Sequence, residues 1–400
     1  MKPLFKLNLI QFFDAINENY TKTLIAFFLI TLHANQNPGA ILTKTSGLFL
    51  VPFLLFSNVG GILADKFSKS RVILFTRYAE LFLLLAVSFS LFYDRTSILL
   101  TLIFLVATVS ALFGPTKYSI IAEIHPISQI LTANSLIAAY TFFGIILGTG
   151  LVSLSLEFLK NHFFLASFVP VFLVCFQIAF SHALPKTAPR SPERRLSVFV
   201  FREIGTSLAE MRKVPCLFAT FLAYAYFLFL GSFLQLGVID FTIGVLHLTP
   251  MAGGYLFLLS AVGIGIGSYS IPLFAKMKNT LLLIPLMGSA ISLFFLCIGF
   301  AANIFLFAVL LMMTGIAGGI FLVPAQTFLQ QKSPETSRGR NFGTANQFSF
   351  FFALLAPLLL WLLSTPSGAS IKTVFVIVAL MNALAMVYFF IALRKKRVGE

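Results

Sequence analysis

Long apolar runs follow one another along this chain, separated by polar breaks that are mostly short. A membrane-crossing helix needs about 20 mostly apolar residues. The pattern predicts spans at 8–33, 47–64, 72–93, 97–122, 131–156, 163–183, 215–239, 250–275, 280–300, 303–329, 341–364 and 371–393. Short breaks favour antiparallel neighbours. The exception is Pro185 to Lys213, which is long, proline-containing and charged, and divides the chain nearly in half. The expected organisation is a six-helix half at 1–184, a linker at 185–213 and a second six-helix half at 214–400.

Composition moves the chain out of water. Of 400 residues, 58% are hydrophobic and 10% charged, against roughly 25% charged in a soluble domain. Lipid is the alternative solvent, in which apolar side chains need no cover. The start, Met1 to Leu9, carries two lysines but no small-residue cleavage site, so it reads as a cytoplasmic N-terminus feeding a permanent first span.

The formal charge of +15 invites a nucleic-acid reading, but its distribution argues against one. With the N-terminus inside, 21 of the 28 basic residues fall in cytoplasmic segments: Lys2 and Lys6, Lys66 to Arg71, the linker, Lys276 and Lys278, Lys332 to Arg340, and Arg394 to Arg397. Opposite-side loops hold only Lys44, Arg95, Lys160 and Lys372. This is the bias of a multi-pass protein with an even span count and both termini inside, with added attraction to anionic lipid headgroups. The halves also echo each other. Gly114-Pro115-Thr116-Lys117 with Thr132-Ala133-Asn134 recurs as Val323-Pro324-Ala325-Gln326 with Thr344-Ala345-Asn346, at proline-to-asparagine distances of 19 and 22 residues. Two six-helix repeats around a long cytoplasmic loop is the layout of parallel-repeat carriers, which bind substrate between their halves.

Span one carries the densest chemistry. Gln11, Asp14, Asn17, Glu18, Thr21 and Lys22 fall within an arc of about 140° on one helix face. Charge at membrane depth is costly and faces a partner or a watery cavity. The face is either a binding or gating surface, or an interfacial helix end with Lys22 paired to Glu18 at i,i+4. Between spans two and three, Gly61 permits close backbone approach, and Asp65 can face the positive end of another helix, near Asn341 and Phe342. Near the end of span four, Gly114 and Pro115 predict a kink. Lys117 then projects a cation inside the membrane, to be met by a phosphate, by Glu123 or by snorkelling. Arg77 and Glu80, three apart, most simply neutralise one another, and Asp240 lies at the outer end of span seven. The 49 phenylalanines among 60 aromatics suit either an acyl-chain pocket or lipid-facing filler.

Three cysteines and five histidines show no metal-ligand spacing. No nucleophile–base pair and no phosphate-cradling loop is found. The expectation is therefore a carrier and not an enzyme, with no metal, no cofactor and no nucleic-acid partner.

The segment Ile16-Asn17-Glu18-Asn19-Tyr20-Thr21-Lys22 is similar to a Phe-Asn-Asp-Asn-x-x-Lys pattern. Gly114, Pro115, Lys117 and Tyr118 match a Gly-Pro-x-Lys-Tyr stretch, and Ala133-Asn134 follow it. With the Gly61 to Arg71 loop signature, these segments resemble the lysophospholipid transporter family of the major facilitator superfamily. Glu18 departs from the usual aspartate, keeping the charge and lengthening the reach. The resemblance implies an all-α membrane protein with the major facilitator fold, twelve transmembrane helices in two pseudo-symmetric six-helix halves. It implies a lipid flippase of the bacterial inner membrane. Such a carrier moves lysophospholipid, such as lysophosphatidylethanolamine, to the cytoplasmic leaflet for re-acylation, beside or fused to an acyltransferase and an acyl-carrier-protein ligase. Substrate-binding candidates are Asp14, Asn17, Glu18, Lys22, Lys117 and Tyr118; gating candidates are Gly61, Asp65, Lys66 and Arg71. A drug or small-solute carrier of the same superfamily is the competing expectation.

Overall fold

A computed structural model describes residues 2–33, 38–193, 200–277, 279–364 and 368–394. Its long elements are helices α1 (Pro3–Leu32), α2 (Pro38–Lys66), α3 (Lys69–Phe92), α4 (Thr96–Ile124) and α5 (Ile130–Phe158). The short α6 (Phe163–Ala166) leads into α7 (Phe168–His182), and α8 (Val200–Lys213) lies in the linker. Then come α9 (Leu217–Gly244), α10 (Pro250–Ser270), α11 (Leu283–Gly299), α12 (Ile304–Lys332), α13 (Arg338–Ser364) and α14 (Ile371–Arg394). Among the described residues, eleven helical stretches are long and apolar enough to cross a membrane, with α6 and α7 counting as one. The 30-residue α1 is long enough but is studded with polar side chains. It completes the twelve.

Boundaries follow local chemistry. Thr249 accepts the Ala252 N–H at 3.3 Å to start α10, and Asn303 accepts the Leu306 N–H at 2.8 Å to start α12. Both are N-caps supplying an acceptor that the first turn lacks. α2 begins at Pro38, well before the expected position 47. Residues 38–46, expected to precede the span, are helical, and the Thr45 hydroxyl turns back onto the Ile41 carbonyl at 3.0 Å. The linker, expected as an irregular segment, contains α8. Ile204, Ser207, Leu208 and Met211 recur on its buried or half-buried side, while Arg202, Thr206, Arg212 and Lys213 are exposed. With Glu203 in its first turn and two cations in its last, its charges oppose the helix dipole. Lys278, Arg194, Arg195, Lys395, Lys396 and Arg397, counted in the charge bias, lie outside the described residues.

Packing divides the chain into two compact units. One comprises Met1–Pro126, Phe143–Ser207 and Pro334–Gln347; the other comprises Ile127–Phe142, Leu208–Ser333 and Phe348–Glu400. In the first, Tyr20 anchors α1 by donating to the Ala166 carbonyl at 2.9 Å, within a core including Leu24, Ile25, Val87, Ile103 and Val152. In the second, phenylalanines supply the core. Phe241 stacks on Phe307 at 4.3 Å, and Phe375 meets Phe233 and Phe295 edge-on at 5.3 and 5.7 Å. Others, such as Phe82 and Phe158, remain exposed on the apolar exterior. α10 and α12 cross so closely that a Cβ at Gly263 would lie 2.9 Å from the Ile316 nitrogen. Small residues permit such crossings where lipid gives helices no hydrophobic drive to associate.

The echoed asparagines serve similar ends. Asn134 donates to Thr327 at 3.0 Å and Gln330 at 2.7 Å within the second unit. Asn346 donates to the Ser57 hydroxyl at 2.9 Å within the first.

Candidate functional site

α1 presents its polar face to α3, α4 and α7, and that face divides into two zones. The inner zone is a buried charge cluster. Asp14 is 1% exposed and ion-pairs with Arg77 of α3. The same Arg77 Nη1 lies 2.6 Å from Glu80 Oε2 and donates to Gln177 Oε1 of α7 at 2.7 Å. Asn17 donates its amide to Glu80 Oε1 at 3.3 Å and to the Pro170 carbonyl at 3.1 Å. The guanidinium lies over the Phe113 ring, 4.2 Å from its centroid. Arg77 and Glu80 thus pair as their spacing suggests, but Asp14 joins them. Removing one partner of a buried ion pair costs about 3–5 kcal/mol, so this cluster ties α1 to α3 and α7.

The outer zone is open. Glu18, Thr21 and Lys22 of α1 line a narrow cleft with Phe49 of α2 and Ile103 and Val106 of α4. Glu18 lies near Ser110 of α4 and within electrostatic reach of Lys117. Among the described residues Lys22 forms no ion pair with Glu18; its ammonium lies over the Phe49 ring at 5.2 Å. α4 runs without interruption through Gly114 and Pro115 to Ile124. The Lys117 ammonium, half-buried, lies 5.5 Å from the Phe113 centroid and 5.3 Å from that of Tyr118. Glu123 is engaged elsewhere: it accepts from Lys69 at 2.6 Å and Arg190 at 3.1 Å. The cleft therefore sets one acidic and one basic side chain, Glu18 and Lys22, beside the apolar Phe49, Ile103 and Val106, with Lys117 in electrostatic reach of Glu18.

A third zone lies where α2 ends and α13 begins. Asp65 accepts the Gly339 N–H at 2.7 Å and the Arg340 N–H at 2.9 Å. First-turn N–H groups have no partner in their own helix, and the dipole there favours a carboxylate. One turn earlier, a Cβ on Gly61 would meet the Gly339 carbonyl and lie 2.9 Å from Arg340 Cα. Asn58 reinforces the crossing, donating to Thr344 at 2.8 Å. The linker is fastened to the same place. The Asp65 carbonyl accepts the Arg190 and Ser191 N–H groups at 3.1 and 2.9 Å, and Arg190 pairs with Glu335 at 3.0 Å. Lys66 lies over Phe67 at 5.7 Å and Arg71 is exposed, so neither joins this zone's ion pairs among the described residues. Tyr118 stacks on Phe342 of α13 at 5.4 Å.

The structure thus brings Glu18 and Lys22 to one cleft near Lys117, places Asp14 and Asn17 behind it, and sets Gly61 and Asp65 against α13. Sequence reasoning missed Gln177 and the Lys69–Glu123 pair. Both were visible only as polar residues at or inside span ends.

The family model described as the Major Facilitator Superfamily matches residues 7–292 and 278–400. A lysophospholipid transporter, LplT, of Escherichia coli O1:K1 is 24% identical over 96% of this chain and 94% of its own length. That of Photorhabdus laumondii is 27% identical over 82% and 79%. Among solved structures, the human organic anion transporter MFSD10 superposes with a TM-score of 0.77 at 13% identity, covering 97% of this chain and all of its own. The E. coli fucose:proton symporter FucP superposes with a TM-score of 0.78 at 15% identity, covering 98% of each chain. These structures share the fold.

Proposed function

The chain belongs to the Major Facilitator Superfamily, a multi-pass membrane transporter, and from that premise we propose that it carries lysophospholipid across the bacterial inner membrane to the cytoplasmic leaflet by alternating access. The observation that carries this reading is the cleft where Glu18 and Lys22, with Lys117 in electrostatic reach, stand over Phe49, Ile103 and Val106. In it, Lys117 takes the phosphate as a compact point charge. Glu18, backed by Asp14 and Asn17, takes the amine, and the apolar wall takes the start of the acyl tail. The near full-length match to proteins named lysophospholipid transporters supports the substrate class. Both termini and the linker lie in the cytoplasm, the side that the basic residues favour. A separate acyltransferase and acyl-carrier-protein ligase consume the delivered lipid.

The test is leaflet-resolved transfer of labelled lysophosphatidylethanolamine in vesicles containing this protein alone. Transfer well above that of protein-free vesicles is expected. Transfer no faster than in protein-free vesicles overturns the lipid assignment and favours a drug or small-solute carrier.

A further inference from the structure

One hydroxyl in the cleft has no partner of its own. Thr21 is 2% exposed, and its Oγ1 makes no hydrogen bond among the described residues. Helical threonines elsewhere in this unit return their hydroxyl to the carbonyl one turn earlier. Thr31 of the same helix donates to Phe27 at 3.0 Å, Thr45 of α2 to Ile41 at 3.0 Å, and Thr108 of α4 to Phe104 at 2.8 Å. Thr21 forgoes the equivalent bond to Asn17 and lines the cleft beside Glu18 and Lys22. A buried hydroxyl left unpaired is destabilising, and a ligand that pairs with it recovers that cost.

The neighbours of Thr21 narrow the kind of ligand. α1 and α4 run antiparallel here: Arg77 bridges Asp14 to Phe113, Glu18 lies near Ser110, and Thr21 and Lys22 share the cleft with Val106 and Ile103. Thr21 therefore stands between a charged end, at Glu18, and an apolar one. The charged residues answer charged groups. A threonine hydroxyl is neutral and both donates and accepts, so it matches a neutral hydroxyl. In a lysophospholipid that group is the free glycerol hydroxyl, which lies between the headgroup and the acyl tail.

We infer that Thr21 reads the free glycerol hydroxyl of the substrate and so sets the carrier's preference for a lipid with one acyl chain. This rests on the lysophospholipid reading of the same cleft. The substrate hydroxyl and Thr21 Oγ1 share one hydrogen bond. A lipid without that hydroxyl leaves Thr21 buried and unpaired, which is how a site built around a hydroxyl rejects the analogue lacking it. A diacyl lipid carries an ester at that carbon and brings a second chain into a narrow cleft. Removing the Thr21 hydroxyl, by contrast, strands no group of the protein among the described residues.

Vesicle transfer of lysophosphatidylethanolamine, and of its analogue with hydrogen in place of the glycerol hydroxyl, tests the contact as a ratio within one protein, each rate corrected for protein-free vesicles. The wild type should prefer the hydroxyl lipid by roughly tenfold, near the upper end for one neutral hydrogen bond. In Thr21→Val the ratio should fall towards one; in Thr21→Ser, which keeps the hydroxyl, it should persist. Thermal unfolding of the purified protein gives a second reading without lipid. Thr21→Val should melt no lower than the wild type, because the hydroxyl it removes has no partner in the fold. Equal transfer of the two lipids by the wild type overturns the assignment. So does a preference that survives Thr21→Val or is lost equally in Thr21→Ser, or a clearly lowered melting temperature in Thr21→Val. Wild-type vesicles that move neither lipid sink the lysophospholipid reading and the hydroxyl assignment with it, whereas equal transfer of both sinks the role of Thr21 alone.

Discussion

Glu123 is held by Lys69 at 2.6 Å, with both side chains almost wholly buried. The pair joins the start of α3 to the end of α4, and Arg190 of the linker reaches the same carboxylate at 3.1 Å. This settles what Glu123 does in this arrangement: it serves α3 and the linker, which leaves Lys117 for another anion.

The pair should matter most when half of it is removed. Lys69→Met strands a buried carboxylate beside a partly exposed arginine, and we expect a loss of up to about 3–5 kcal/mol. Lys69→Met with Glu123→Leu should recover much of that loss, since neither charge then remains. Thermal unfolding of the purified single and double variants in detergent checks this. Equal stability of Lys69→Met and the wild type would show that the pair contributes nothing net.

Two glycines in the motif segments should respond differently to one added methyl. At Gly61 a Cβ meets the Gly339 backbone, which cannot rotate away, whereas at Gly114 it meets only the Asn346 amide at 3.6 Å. Overpacking costs about 1–3 kcal/mol, so Gly61→Ala should weaken the α2–α13 crossing and Gly114→Ala should leave it intact. Accessibility of a cysteine placed at Ala64, which packs on Gly339, reports the difference. Equal labelling in the two backgrounds would contradict the close approach.

What the sequence made legible was what is local. Gly61 and Asp65 sit four residues apart at the end of α2, and the polar arc of α1 lies within one helix. Arg77 and Glu80 were readable as partners because they are three residues apart. Asp14 lies 63 residues from Arg77 and Gln177 lies 100 away; no periodicity joins positions on different helices. That distance is why Asp14 read as free to meet a substrate amine while the fold gives it a guanidinium. α8 was hidden for a different reason. Its apolar face is narrow and its composition polar, so a search for spans passes over it.

The orientation has a direct check. In a background with Cys175, Cys216 and Cys297 replaced by serine, single cysteines at Lys186 in the linker and Ser370 before α14, the first exposed and the second also exposed, should react with impermeant reagent from opposite sides of the membrane. Lys186 should label only after the cytoplasmic face is opened. Same-side labelling contradicts the even-span arrangement.

Asp65→Asn should loosen the crossing without unfolding the chain. The substitution keeps the shape but sets an NH2 group against an N–H of Gly339 or Arg340, and it removes the charge at the start of α13. A carboxylate at a helix start is worth roughly 0.3–1 kcal/mol when exposed and up to ~2 kcal/mol when partly buried. We expect slower lysolipid transfer and a shift in labelling at Ala64, with expression close to that of the wild type. Unchanged labelling and rate would remove Asp65 from the transport cycle.

Lys117 and Glu18 should separate the two ends of a headgroup. Lys117 lies over two aromatic rings, and the Glu123 carboxylate is engaged by Lys69 and Arg190, so a substrate phosphate can meet it without breaking an ion pair to Glu123. Burial strengthens that contact relative to water. Lys117→Gln should weaken transfer of every lysolipid that bears a phosphate, including lysophosphatidylglycerol, which has no amine. Glu18→Gln should slow lysophosphatidylethanolamine more than lysophosphatidylglycerol, because only the first has an ammonium to lose. The fold should accept the loss of charge at Lys117, since Gln326, its counterpart in the echoed motif, is buried and uncharged. Vesicle transfer with both lipids, normalised to the amount of protein inserted, reads the four combinations. A Lys117→Gln protein that transfers both lipids normally would show that Lys117 only snorkels, and equal slowing of both lipids by Glu18→Gln would show that Glu18 serves the packing of α1 on α4 rather than meeting the amine.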